Sequence, residues 1–278
     1  MGLMKQLCFL GALAWSLTPS VTFPMSWGDV LDPAPGMPRV IGSYTAGCVQ
    51  GAIPLPADGR GYQVMRPQRR RFFGHPVLVR YLQELGATTH QKGLGILLIG
   101  DLGQPRGGPM PSGHRSHQIG LDADIWFWLP GDGMVLSVGE RETIRAPSML
   151  SPGGRALDAQ QWSPRHAEVL RLAVGFDGVA RIFVNPVIKK AMCEQFPGAS
   201  WMQKLRPWWG HDDHFHVRLR CPAGQATCQD QDPLPAGDGC GAELDWWFTE
   251  EARKPQPPID SAKVPLPASC EAILRPSR

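Results

Sequence analysis

The sequence is short of charge. Charged residues make up 19% of its 278 positions, and the net charge is +3. That field is too weak to argue for a nucleic-acid partner and would give only a mild preference for an acidic polymer. A long hydrophobic run is also missing. The longest apolar stretch, Leu7 to Leu17, is interrupted by Gly and Ser. It falls short of the roughly 20 residues that cross a bilayer, so no membrane span is expected in the mature protein. No Cys-x-x-Cys pair occurs, which argues against a thiolate zinc site. No Ser-x-x-Lys triplet occurs, which removes the acyl-serine apparatus that uses it. Internal repeats and low-complexity blocks are absent.

What is present is a globular composition, 42% hydrophobic, with 32 glycines and 28 prolines. The length suits a core-forming domain, and the glycine and proline content points to a loop-rich one. Lys5, the apolar run and Thr18-Pro-Ser20 read as a secretory signal over residues 1–22, leaving a mature domain at 23–278 with a proline-rich C-terminal segment. Removing Cys8 with that segment leaves Cys48, Cys193, Cys221, Cys228, Cys240 and Cys270. An even set fits three disulfides formed in an oxidising compartment. The pairing stays open, with Cys221–Cys228 the easiest local bridge.

Helical spacing of Val77, Leu78, Tyr81, Leu82 and Leu85 predicts a helix over Pro76–Leu85. Further helices are expected over Pro164–Val174 and from Asn185-Pro186 to Gln195, each with Pro in the first turn. Short strands are expected at Ile96–Ile99, Leu121–Trp128, Ala180–Val184 and His214–Arg220. Residues 130–162 look irregular, and the chain beyond Cys221 is loop-like apart from Leu244–Phe248. The expectation is an α+β fold: a small antiparallel sheet flanked by helices and long disulfide-tied loops.

Five of the eight histidines fall in two short stretches: His114 and His117, followed by Asp122 and Asp124, then His211, His214 and His216, followed by Arg218. In a strand, alternate side chains share a face. Asp122 and Asp124 therefore point together, as do His214, His216 and Arg218. Same-face neighbours lie about 6.5–7 Å apart. That is too wide for both to ligate one tetrahedral zinc with bonds near ~2.0 Å. One member of each pair should hold metal and the other should support it. Two imidazoles and a carboxylate make a three-ligand zinc site whose fourth position is open to catalysis.

Other marked residues have plainer readings. His75, before Pro76, reads as a cap or loop residue, His90 as a loop residue and His166 as a surface residue. Arg69 to Arg71 reads as a solvated or structural cluster. Trp208-Trp209 lines a substrate groove or fills the core. Trp126 and Trp128 share the face of Asp122 and Asp124 and could wall the site. Arg218 could pair with Asp122 or with a substrate carboxylate.

The run Gly113-His-Arg-Ser-His117-Gln-Ile-Gly-Leu-Asp122-Ala-Asp124, with His214-Phe-His216, resembles the LAS superfamily of zinc peptidases. Its pattern is a histidine, an aspartate seven residues on, then His-x-His. Closer matches are Ile41 to Cys48, Arg70 to Pro76, Arg181 to Pro186, His216 to Pro222 and Gly237 to Leu244. On these the chain is similar to the penicillin-insensitive murein endopeptidases from about residue 35 onward. The resemblance implies zinc, one ion per chain, on His117, Asp124 and His216. It implies His214 and His211 as catalytic histidines, Asp122 as a supporting group, and His114 as a supporting group or extra ligand. The region near Ser151–Arg155 offers no Asp/His pair for a second metal. Trp126, Trp209 and Arg218 are candidate substrate contacts. The implied activity is a D,D-endopeptidase, insensitive to penicillin, that cuts D-alanyl–meso-diaminopimelyl cross-links of peptidoglycan in the periplasm. The alternatives are a D,D-carboxypeptidase or D-dipeptidase on the same zinc, or a non-catalytic peptidoglycan-binding protein. An oligomer is compatible with the sequence, which does not set the state.

Overall fold

The computed structural model describes residues 25–131, 133–254 and 263–275, with single positions 1 and 260. Apart from Met1, the expected signal segment lies outside the described residues, as does part of the proline-rich stretch. Eleven strands are named β1 (Arg39–Ser43), β2 (Ala46–Gln50), β3 (Ile53–Pro54), β4 (Asp58–Gly59), β5 (Tyr62–Val64), β6 (Phe73–Gly74), β7 (Leu97–Ile99), β8 (Asp122–Trp126), β9 (Val179–Val184), β10 (Leu205–Pro207) and β11 (His214–Leu219). The helices are α1 (Pro76–Gln91), α2 (Val138–Thr143), α3 (Pro164–Val174), α4 (Pro186–Gln195), α5 (Ala242–Asp245), α6 (Glu250–Arg253) and α7 (Ser269–Leu274). Helix and sheet mix as expected for an α+β fold.

The main sheet runs β10-β9-β11-β8-β7-β5-β4. Strand β11 lies third in it, next to the central β8, and is antiparallel to β8 and to β9. The β9–β10 and β5–β7 pairs are parallel. Alternation sorts the two central strands. Ala123 and Ile125 of β8, with Phe215, Val217 and Leu219 of β11, are buried in the core with Leu78, Leu82 and Leu85 of α1 and Ala167 and Leu170 of α3. Burying a large side chain of this kind contributes on the order of 1.5–3 kcal/mol. Register is therefore costly to shift, because a one-residue slip would put the carboxylates and imidazoles into that core. The fixed register sets Asp124 opposite His216 and Asp122 opposite Arg218.

Helix α1 runs past its expected end at Leu85 to Gln91. Gly86, which breaks the apolar pattern, is buried where the Tyr62 ring packs: a Cβ there would stand 3.0 Å from Tyr62 Cδ1. Tertiary packing overrides the weak local propensity. His90 thus lies in the last turn of α1 and not in a loop. His75 caps α1, its Nδ1 accepting from the Val77 N–H at 3.2 Å. His166 departs from its expected surface position. It is 5% exposed, stacks on Trp162 at 5.1 Å, and its Nδ1 accepts from the Ser163 N–H at 2.9 Å. Its short reach back to the helix start draws the ring inward, the work a Glu or Gln does in a capping box.

Between β7 and β8 a long loop carries His114 and His117. Gly107 closes it with φ +68°, and a Cβ there would meet Gln118 O at 1.9 Å, so only glycine fits. Gln118 then anchors the loop to the β1–β2 hairpin, its Oε1 accepting from the Gly47 N–H at 3.2 Å and its Nε2 donating to Thr45 O at 2.9 Å. Three disulfides tie the periphery: Cys48–Cys270, Cys193–Cys240 and the expected local bridge Cys221–Cys228.

Candidate metal centre

Two backbone distortions mark the site. Among the described residues, only four non-glycine residues have positive φ, and two are His117 (66°) and His211 (53°). Such left-handed conformations persist where the surroundings enforce them, often at functional sites. For His117 the enforcement is visible. Its N–H donates to Asp122 Oδ2 at 3.0 Å, and its Nδ1 donates to Leu102 O at 2.6 Å. Its Nδ1–H is thereby spent, and Nε2 is the ring atom left to take a metal ion or a second proton. For His211, the Asn185 N–H donates to its carbonyl at 2.9 Å, and Asn185 Nδ2 donates to Gly210 O at 3.1 Å.

His117 Nε2 is fully buried without a hydrogen-bond partner, and so is Asp124 Oδ1. The two atoms are 3.4 Å apart. Across the ladder, His216 Nδ1 is 3.5 Å from the same Asp124 oxygen. Its Nε2 meets Asp122 Oδ1 at 2.9 Å, which fixes the proton there and leaves the Nδ1 lone pair facing Asp124. Ligand atoms on a tetrahedral ion with bonds near ~2.05 Å stand about 3.3–3.4 Å apart. Buried polar atoms without partners are costly, so this trio of lone pairs fits a cation well.

His114 stands on the other side of His117, ring to ring 4.4 Å, with His216 at 4.6 Å. His114, His117 and Asp124 offer ligand atoms that all lie within 4.8 Å of one another. Yet His114 Nε2 is already 3.1 Å from Asp101 Oδ2, and it is 3.5 Å from Asp124 Oδ2, the other carboxylate oxygen. Asp101 also accepts from Arg71 at 3.0 Å and Arg69 at 3.3 Å.

His214 sits on the rim, its side chain 25% exposed, with Nε2 3.7 Å from Asp124 Oδ1 and Nδ1 2.5 Å from Asp213 Oδ1. His211 lies 4.9 Å from it, ring to ring, and its Nδ1 is 3.1 Å from Trp209 O. Burial, helped by nearby His214, pulls the pKa of His211 down to about 4. Burial opposes charge on His214, but Asp124 and Asp213 override it and raise its pKa. Burial likewise opposes charge on His117, and Asp124 overrides it to about 9. His216 is pulled down to about 3 by burial. Burial alone would raise Asp122 and Asp124, but the adjacent cations, Arg218 first for Asp122 and His117 first for Asp124, hold both carboxyls well below the usual range.

The structure brings His114, His117, Asp122, Asp124, His211, His214 and His216 together. Arg218 is not available as a substrate clamp. It is 4% exposed, its Nε and Nη2 reach Asp122 at 2.7 and 3.3 Å, and Nη1 reaches Gln231 at 2.6 Å. Trp126 is 9% exposed in a small apolar cluster with Met65, Leu98 and Leu136, which leaves little of it to wall a groove. Trp208 and Trp209 are both exposed, not core. Arg71 belongs to the structural alternative, since it holds Asp101 and is 10% exposed. Sequence reasoning passed over Asp101, the Leu102 carbonyl and Asp213. Only Asp213 carried a signal, as the neighbour of His214 in the His-Asp-Asp-His run.

The chain matches the family described as penicillin-insensitive murein endopeptidase over residues 40–275. A curated relative from Klebsiella pneumoniae subsp. pneumoniae with that name is 44% identical over 249 residues, covering 89% of this chain and 90% of the relative. One from Yersinia pestis is 44% identical over 258 residues, covering 89% and 90%. One from Salmonella arizonae is 42% identical over 266 residues, covering 95% and 96%.

Proposed function

This chain belongs to the penicillin-insensitive murein endopeptidase family, and on that premise we propose that it is a zinc peptidase cutting D-alanyl–meso-diaminopimelyl cross-links of peptidoglycan in the periplasm. The observation that carries the metal is the pair of buried atoms without partners, His117 Nε2 and Asp124 Oδ1. These two and His216 Nδ1 would hold the ion; His114, bonded to Asp101, supports the pocket. Bound there, zinc would lower the pKa of a water and polarise a carbonyl.

The protein's own groups divide the proton work. His211 gives its Nδ1–H to Trp209 O, so its Nε2 is an acceptor and serves as general base. His214 gives its Nδ1–H to Asp213, and the Asp124 and Asp213 carboxylates favour its charged ring, in which Nε2 also carries a proton. That N–H donates to the carbonyl oxygen as charge develops and passes its proton to the leaving amine. Two neighbouring imidazoles whose surroundings shift their pKa values in opposite directions give an acid and a base from one residue type. Asp122 holds His216 and Arg218 in place and takes no part in proton transfer. Three disulfides support an oxidising compartment.

The carboxypeptidase reading loses its one named clamp, because Arg218 is spent on Asp122 and Gln231. The non-catalytic reading has to explain a complete His214–Asp213 pair. Digestion of purified cross-linked muropeptide dimers tests the proposal. Conversion to monomers that a chelator and His216→Ala abolish, and that penicillin leaves alone, is the expected result. Release of terminal D-alanine with dimers intact would move the activity to a carboxypeptidase. Bound zinc with no cleavage would leave a binding protein.

A further inference from the structure

Among the described residues, the exposed tryptophans are Trp208, Trp209 and Trp246, and all three meet at one place. Trp247 is their hub, with ring centroids 5.9 Å from Trp208, 5.9 Å from Trp209 and 5.3 Å from Trp246. The cluster is held firmly. Leu244 and Ala252 are buried on either side of it, Trp209 Nε1 donates to Ala252 O at 2.7 Å, and Cys193–Cys240 ties the incoming chain to α4. Exposed apolar rings in a rigid frame mark a binding surface more often than a packing accident.

The platform is continuous with the metal centre. Phe183 lies 6.3 Å from His211 and 5.3 Å from His216, and on its outer side meets Trp208 at 6.0 Å. A path of tilted and edge-to-face ring contacts thus leads outward from the catalytic histidines. Its border is charged but balanced: Glu243 pairs with Arg206 and Glu251 with Lys254, Asp245 and Glu250 are exposed, and Arg253 and Lys190 stand nearby, Lys190 5.5 Å over the Phe248 ring. A border of little net charge gives no steering toward an acidic peptide or an anionic membrane and suits a neutral ligand with flat apolar faces.

We propose that the Trp208–Trp209–Trp246–Trp247 platform binds the glycan strand of the cell-wall polymer, with pyranose rings stacked on the indoles. Indole suits this use, since it offers a broad apolar face with a polar edge. The near edge of the platform is two ring contacts from His211, 6.3 Å to Phe183 and 6.0 Å on to Trp208, within reach of a stem peptide of about three to four residues, roughly 10–14 Å at full extension. This inference rests on the peptidase reading for the identity of the polymer.

The test titrates the full chain with a neutral hexamer of β-1,4-linked N-acetylglucosamine and follows tryptophan fluorescence. A saturable change is expected, weakened about tenfold by Trp246→Ala and less by Trp246→Phe, since such anchors dominate binding. In parallel, Trp246→Ala should raise KM on glycan-bearing sacculi more than on sugar-free cross-linked peptide dimers. No saturable change in the wild type would overturn the platform, as would equal losses on both substrates. A signal that follows protein concentration and not sugar would assign the surface to a second copy of the chain instead. Hexamer binding without any dimer cleavage would keep the platform and remove the peptidase.

Discussion

Asp122 accepts from His216 Nε2 at 2.9 Å, diagonally across the β8–β11 ladder, and the same oxygen accepts from Arg218 Nε at 2.7 Å. One fully buried carboxylate therefore orients a candidate ligand and neutralises a buried guanidinium. Its other oxygen receives the His117 N–H at 3.0 Å, so both candidate histidine ligands hang from it.

Asp122→Asn should consequently do two kinds of damage. Leaving Arg218 buried without its counter-charge should cost about 3–5 kcal/mol of stability. Loosening His216 should weaken zinc binding about 10–100-fold. Chemical denaturation and a competitive zinc titration read the two effects separately; unchanged affinity would contradict the orienting role.

Removing a ligand atom should be more severe than disturbing a support. His117→Ala and Asp124→Ala are each expected to bring bound zinc to background by elemental analysis of dialysed protein, with loss of cleavage. His114→Ala should retain the ion. A variant lacking His114 that loses zinc as completely as His117→Ala would move His114 into the ligand set.

Asp213→Asn tests the rim pair. The carboxylate holds His214 Nδ1–H and helps to raise its pKa. The amide should leave zinc content unchanged and lower kcat by about a hundredfold. The alkaline limb of the kcat profile should move to lower pH, because a less supported imidazolium loses its proton sooner. Full activity would mean that the proton leaves by another route.

His166 provides a pH effect remote from the metal. Burial holds its folded-state pKa below the ordinary value, and Nδ1 must stay bare to accept from Ser163. The unfolded chain takes up the proton first as pH falls. Stability should therefore drop below pH about 6.5 and level off beneath the folded-state pKa. In His166→Gln, which can still accept from the Ser163 N–H, the difference in unfolding free energy between pH 7 and pH 5 should shrink. An undiminished difference would place the acid sensitivity elsewhere, for instance at buried His75, whose pKa is lowered in the same way.

Much of this protein can be read from its residues because the signals are local. Pro164 and Asn185-Pro186 set helix starts through caps and a fixed φ, and α3 and α4 fall at the expected bounds. Period-two alternation in Asp122–Trp126 and His214–Leu219 determined which side chains share a face, and the ladder register bears that out. The even cysteine count implied three bridges, which the fold contains. What alternation could not choose was the function of each member of a same-face pair. By alternation Asp122 and Asp124 are alike; the resemblance named Asp124 the ligand, and the physical difference is the arrival of Arg218 and His216 Nε2 on Asp122 and of His117 Nε2 and His216 Nδ1 beside Asp124. Nor could sequence show Asp101 bound to His114, Asp213 bound to His214, or four tryptophans from two distant segments meeting on the surface. Those pairings join residues far apart in the chain or depend on side-chain direction, and loop closure and core packing determine both.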